Sequence, residues 1–116
     1  MDDNIISVLA RVYVDDLDGA LPLYEELTGD DSPLMFSHDG VRLAKVGAFL
    51  LLQGADAEVR AHVATVNVHD MGRVVEAVAR AGGELLEGPD PGPNGPRLVA
   101  RHPDGNVVEY VQLTNG

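Results

Sequence analysis

An internal repeat constrains this chain more than any other feature. The hexamer Val12-Tyr13-Val14-Asp15-Asp16-Leu17 returns in character 54 residues later as Val66-Asn67-Val68-His69-Asp70-Met71. Each copy ends an alternating apolar run, meets an aspartate and continues into an amphipathic stretch. Period-two alternation marks a strand with one buried face, and apolar residues three and four apart mark one face of a helix. A chain of 116 residues makes one domain of ordinary size. Two copies of one unit must therefore build that domain together, module one over about 5–54 and module two over about 61–113.

Both modules read strand, helix, strand, strand, strand. The first helix runs from Leu17 through Leu21 and Tyr24 to Leu27 and stops at Gly29. The second runs from Met71 through Val74, Val75 and Val78 to Ala81 and stops at Gly82-Gly83. Asp16 or Asp18 in one copy and Asp70 in the other can cap the free N–H groups of the first turn, and the glycines supply the left-handed residue that ends a helix. Pro22 must lie near the first turn or kink its helix. The later strands fall at Pro33–His38, Val41–Val46 and Ala48–Gln53, then at Gly83–Glu87, Arg97–His102 and Asn106–Leu113. Asp39-Gly40 and Pro103-Asp104-Gly105 are turn signals. Gly54–Arg60 is the expected linker between modules. Gly88–Pro96, rich in proline and glycine, is the expected loop, placed to border a site.

Charge and composition remove several functions. Nineteen Asp and Glu stand against eight Lys and Arg, a net charge of −11. A chain this acidic is a poor partner for nucleic acid or an anionic membrane surface. It has no cysteine, so disulfides, thiolate metal sites and cysteine nucleophiles are excluded. The acidic start lacks a long apolar run and the longest apolar run, Ala48–Leu52, is far too short to span a bilayer. The expected address is the cytoplasm.

The paired units resemble the vicinal oxygen chelate superfamily, which includes glyoxalase I, bleomycin-resistance proteins, extradiol dioxygenases and methylmalonyl-CoA epimerase. The residues that carry the likeness are Val14-Asp15-Asp16-Leu17-Asp18 running into Leu23-Tyr24, and His102-Pro103-Asp104-Gly105-Asn106-Val107-Val108-Glu109. The resemblance implies an α+β fold of two tandem βαβββ modules, with curled mixed sheets around a cavity and helices outside. It also implies a homodimer and, in catalytic branches, a divalent metal held by four His or Glu side chains from the first and last strand of each module.

Carried over position by position, those four places fall on Leu9, Leu51, Val63 and Glu109. Three are apolar, and one carboxylate cannot hold a divalent metal against water. No metal and no cofactor are therefore expected. His62 lies one residue from Val63, which in a strand means the opposite face. It reads as an edge or interface residue unless a bulge brings it into register. His38, His69 and His102 read as surface residues.

Strand parity gives the expected cavity lining. It takes Leu9, Arg11 and Tyr13 from the first strand and Phe49, Leu51 and Gln53 from the fourth. The second module adds Val63, Thr65, Asn67, Val107, Glu109 and Val111. A mainly apolar pocket with a few polar anchors suits a small molecule, here partly apolar or cationic. Arg11 and Glu109 can pair across the sheet or meet a ligand, and Tyr13 can pack or present its hydroxyl. Glu109 is the candidate catalytic residue. The resulting expectation is a metal-free small-molecule-binding protein of the bleomycin-resistance type that sequesters a drug or metabolite. The alternative is a metal-dependent lyase, isomerase or dioxygenase with displaced ligands around Glu109.

Overall fold

We describe a computed structural model of the chain over residues 3–113. Its elements in chain order are β1 (Ile5–Val14), α1 (Leu17–Thr28), β2 (Leu34–His38), β3 (Val41–Val46), β4 (Phe49–Gln53), α2 (Ala57–Arg60), β5 (Ala64–Val68), α3 (Met71–Ala81), β6 (Glu84–Asp90), β7 (Arg97–Arg101) and β8 (Val107–Gln112). Among the described residues the strands form one curled sheet in the order β2-β3-β4-β1-β5-β8-β7-β6. Each module is a four-strand half in which the first strand pairs parallel with the last, β1 with β4 and β5 with β8. The halves join within the chain through the antiparallel β1–β5 pair, Leu9 opposite Thr65 and Ser7 opposite Asn67.

Helices α1 and α3 cover one face of this sheet. Asp16 accepts the N–H of Gly19 to cap α1, and Asp70 accepts that of Gly72 to cap α3. Gly29 and Gly82 end these helices in the left-handed conformation. Leu17 of α1 packs with Ala44, Val46 and Leu51 of the sheet, while Met71, Val74 and Val78 of α3 pack with Val66, Val68, Leu98, Ala100 and Val108. Burial of such apolar surface supplies most of the folding energy. The opposite face carries its own cluster of Leu9, Val41, Leu43, Leu50 and Leu52. Sheet curvature turns this face into the wall of a cleft.

The repeat extends to a detail of hydrogen bonding. The Gln53 side-chain carbonyl accepts the N–H of Leu17 at 2.8 Å, and the Gln112 side-chain carbonyl accepts that of Met71 at the same distance. Each glutamine ends the last strand of its module and satisfies a buried donor at the start of that module's helix.

Three local expectations change. The linker folds into the single turn α2 between Ala57 and Arg60, capped by Asp56. The proline-rich stretch is not wholly loop, because β6 continues through Gly88 and Pro89 to Asp90. It can do so because β6 is an edge strand with irregular register, where proline removes no needed donor. Pro22 sits in the second turn of α1, where the helix forgoes one backbone bond.

Candidate functional site

The cleft has an apolar end and a polar end. The apolar end, about 300 Å³, is walled by Leu9, Leu34, Phe36, Leu43, Leu50 and Val111, and the loop Gly92–Gly95 borders it. The polar end, about 270 Å³, is bordered by Arg11, His62, Glu87 and residues of α2 and the β2–β3 turn. His38, Leu43, Arg97 and Glu109 line both, so the two ends adjoin along one trough.

Glu109 stands at the junction on β8 and is heavily engaged. Its Oε1 accepts from Thr65 Oγ1 at 2.9 Å and lies 3.6 Å from Arg11 Nη2. Its Oε2 accepts from Arg97 Nε at 2.9 Å. Arg97 also lies 3.7 Å from Glu87. The Arg11 side chain is only 4% exposed and that of Glu109 is 12% exposed, so each needs the other's charge. Arg11 further donates from Nε to Thr65 Oγ1 and from Nη1 to the Val59 carbonyl. Tyr13 donates its hydroxyl toward the carbonyls of Val59 and His62. Arg60 stacks over the Tyr13 ring with its guanidinium carbon 5.3 Å from the centroid. These contacts pin the α2 turn against β1 and close one side of the polar end.

His62 is the main departure in this region. It precedes β5, so strand parity does not apply to it. Its amide donates to the Val59 carbonyl at 3.1 Å. The residue is 7% exposed and its ring lines the polar end rather than an outer edge. Its Nδ1 is buried and finds no partner among the described residues. Burial first, and the nearby Arg11 charge second, hold the imidazole below the usual histidine pKa.

Leu9, Arg11, Thr65, Asn67, Glu109 and Val111 line the cleft as parity predicts. Tyr13 lies on the same face but packs under α2. The fourth strand is one residue out. Phe49 and Leu51 pack with the α1 cluster, Gln53 bonds to the start of α1, and the cleft side belongs to Leu50 and Leu52. The cause is the turn before the strand. Aligning Gly47 with Gly105 gives a shift of 58, whereas the equivalent glutamines Gln53 and Gln112 are 59 apart. Val63 precedes β5 and is 58% exposed, outside both ends of the cleft. Val107 is half-buried and lines neither.

The hairpins contribute residues that parity of the first and last strands did not reach. They are Leu34, Phe36 and His38 from β2, Leu43 and Lys45 from β3, and Arg97 from β7. His38 is thus a half-buried cleft residue rather than a surface one. His102 is likewise engaged, its Nε2 lying 2.7 Å from the Tyr110 hydroxyl, whose own pKa burial raises. His69 is exposed.

The model of the glyoxalase/bleomycin resistance protein/dioxygenase superfamily matches residues 5–110. The chain belongs to that superfamily. Among solved structures it is similar to an uncharacterized protein of Methanosarcina mazei, 33% identical, with 97% of this chain and 95% of that one covered and a TM-score of 0.89. It shares its fold with methylmalonyl-CoA epimerase from Mycobacterium tuberculosis, at 16% identity, coverage of 99% and 93%, and a TM-score of 0.74. A single-site variant of the Streptomyces coelicolor epimerase, in complex with 2-nitronate-propionyl-CoA, gives 18%, 97% and 98%, and 0.70. A comparison with curated protein sequences finds no match.

The four places at which catalytic branches of the superfamily hold a metal are here Leu9, Leu50, Val63 and Glu109, with Leu50 replacing Leu51 after the register correction. They do not fit a metal. Leu9 and Leu50 are buried hydrocarbon, and both Glu109 oxygens are occupied by arginine and threonine donors. Among the described residues no group of three or more His, Asp or Glu side chains could share a cation. A carboxylate between two guanidiniums stands where the family's ligand set would be. No helix of the described residues is long and apolar enough to cross a membrane.

Proposed function

We propose that this chain binds a partly apolar small molecule in its cleft without a metal ion, and serves to sequester that molecule rather than to turn it over. One observation carries this reading. Two of the family's ligand positions are filled by buried leucines and a third by an exposed valine, while the remaining carboxylate is neutralised by Arg11 and Arg97 inside the protein. What would be a metal centre becomes part of an apolar wall with a few anchored polar groups, the ordinary design of a small-molecule site. Its volume of about 300 Å³ at the apolar end suits a small hydrocarbon or aromatic body.

The test has two arms. Equilibrium dialysis against zinc, nickel, cobalt and manganese, followed by elemental analysis, is expected to leave substoichiometric metal. Stoichiometric retention of any of them overturns the metal-free reading and favours the metal-dependent alternative, with Glu109 and His62 as displaced ligands. Titration with N-phenyl-1-naphthylamine, a neutral apolar dye, is expected to give a saturable rise in fluorescence. The rise should vanish in Leu50→Trp, whose indole fills the apolar end. Unsaturable dye binding, unchanged by Leu50→Trp in a variant with native circular dichroism, refutes the binding reading.

A further inference from the structure

We propose that the polar end of the cleft is a subsite for a primary amine, whose ammonium N–H bonds to His62 Nε2 while the apolar remainder of the molecule lies along Leu43 and Leu50. This rests on the proposed function and adds the chemistry of the head group.

Donors and acceptors around the polar end are unequally satisfied. The strong donors are already spent. Arg11 gives its guanidinium to Thr65, to the Val59 carbonyl and to Glu109. Arg97 gives its own to Glu109 and Glu87, and Tyr13 gives its hydroxyl to backbone carbonyls. What remains unfilled is acceptor capacity. The His62 ring bonds to nothing among the described residues and belongs to a residue more than nine-tenths buried that lines the polar end; Nδ1 is sealed from the cleft, so Nε2 is the nitrogen a ligand can reach. Burial and the Arg11 charge disfavour the imidazolium, so the tautomer with its lone pair on Nε2 is available.

The charge around His62 favours a cation over a neutral donor. The groups facing it from the packed elements are Arg11 on β1, Glu87 on β6, Arg97 on β7 and Glu109 on β8. His38 and Asp39 border the same space from β2 and its turn, and Asp56 and Glu58 from α2. Five carboxylates thus line the polar end against two guanidiniums. Asp39 and Glu58 are exposed, and Glu58 has no ion pair among the described residues. A carboxylate ligand would meet this surplus as repulsion; an ammonium would be drawn in by it.

The test compares three molecules with one eight-carbon tail, n-octylamine, n-octanol and n-octanoate, by calorimetric titration at pH 7.5. The amine is expected to bind about tenfold tighter than the alcohol, the usual effect of one good charge-assisted hydrogen bond. Octanoate should bind weakest. His62→Leu should reduce the amine to the level of the alcohol and leave the alcohol unchanged, while His62→Gln, which keeps an acceptor, should retain part of the preference. In the unaltered protein, saturating octylamine should shift the 15N resonance of His62 Nε2. Equal binding of all three, preference for octanoate, an amine preference that survives His62→Leu, or an unmoved His62 resonance overturns the subsite and leaves the binding reading standing. Failure of all three to bind overturns both.

Discussion

Replacing Glu109 by glutamine tests the centre of the cleft directly. The carboxylate now faces Arg11 through Oε1 and Arg97 through Oε2, at 3.6 and 2.9 Å, with side chains 4% and 12% exposed. Glutamine of nearly the same shape offers one carbonyl, enough for either Thr65 or Arg97, and turns an NH2 group toward the other guanidinium. Arg97 keeps Glu87 at 3.7 Å, whereas Arg11 keeps only neutral acceptors. Breaking a buried pair in this way costs about 3–5 kcal/mol, and the surviving Glu87 contact places the expectation at the lower end, about 3 kcal/mol. For a chain of 116 residues that is a fall of about 12 °C in Tm. Urea denaturation followed by far-ultraviolet circular dichroism is the suitable assay, since the chain has no tryptophan. The slope with urea should be unchanged and the midpoint lowered. Both proteins should be treated with a chelator beforehand. A carboxylate meant for a metal would gain little from its neighbours once the metal is stripped. A loss below about 1 kcal/mol in Glu109→Gln, within the range of a lone surface pair, would therefore refute the account of a guanidinium-held carboxylate.

Three further outcomes are expected. Gln53→Leu and Gln112→Leu should each cost about 1–3 kcal/mol by chemical denaturation, because each orphans a buried amide at the start of a helix, and the two losses should be similar. Below pH 6.5 the unfolded chain takes up a proton at His62 more readily than the folded one, so Tm should fall as pH drops through the ordinary histidine range toward the lowered folded value; His62→Gln should flatten that part of the Tm–pH curve. Gly95→Ala should weaken binding of the apolar dye with little effect on the helices, because Gly95 has a φ of +139° and a methyl group there would overlap the Gln112 carbonyl oxygen, displacing the loop beside the apolar end.

The duplicated unit, both helix caps and much of the lining were legible in the sequence because those segments alternate cleanly. Val12-Tyr13-Val14 and Val66-Asn67-Val68 carry a strong period of two, and Asp16 and Asp70 announce the helices that follow. The fourth strand was not legible in the same way. Phe49-Leu50-Leu51-Leu52 is apolar on every residue because it is buried on both faces, under α1 and against the cleft. With no alternation to read, its register rested on matching two turns of different length, and the match slipped by one. His62 was misplaced for a related reason: parity was extended past the end of a strand into a turn. Arg97 and Lys45 came from hairpin strands whose side of the sheet depends on pairing with β8 and β4. Those pairings are properties of the folded sheet, and a local pattern does not carry them.

The antiparallel β1–β5 seam has a consequence for how the two copies differ. Under the 54-residue shift Arg11 corresponds to Thr65, and under the 59-residue shift Leu50 corresponds to Glu109. Arg11 and Glu109 therefore each stand opposite an unlike residue in the other copy. In two identical half-length subunits joined by a twofold axis, a doubled first module would bring two copies of Arg11 and no Glu109, and a doubled second module would leave each Glu109 with Arg97 alone. Fusion into one polypeptide lifts that symmetry. It lets the first half specialise as hydrocarbon wall and supply a second cation, Arg11, while the other half keeps the acid and Arg97, and it makes the halves mutually dependent: neither, doubled, could rebuild the whole network.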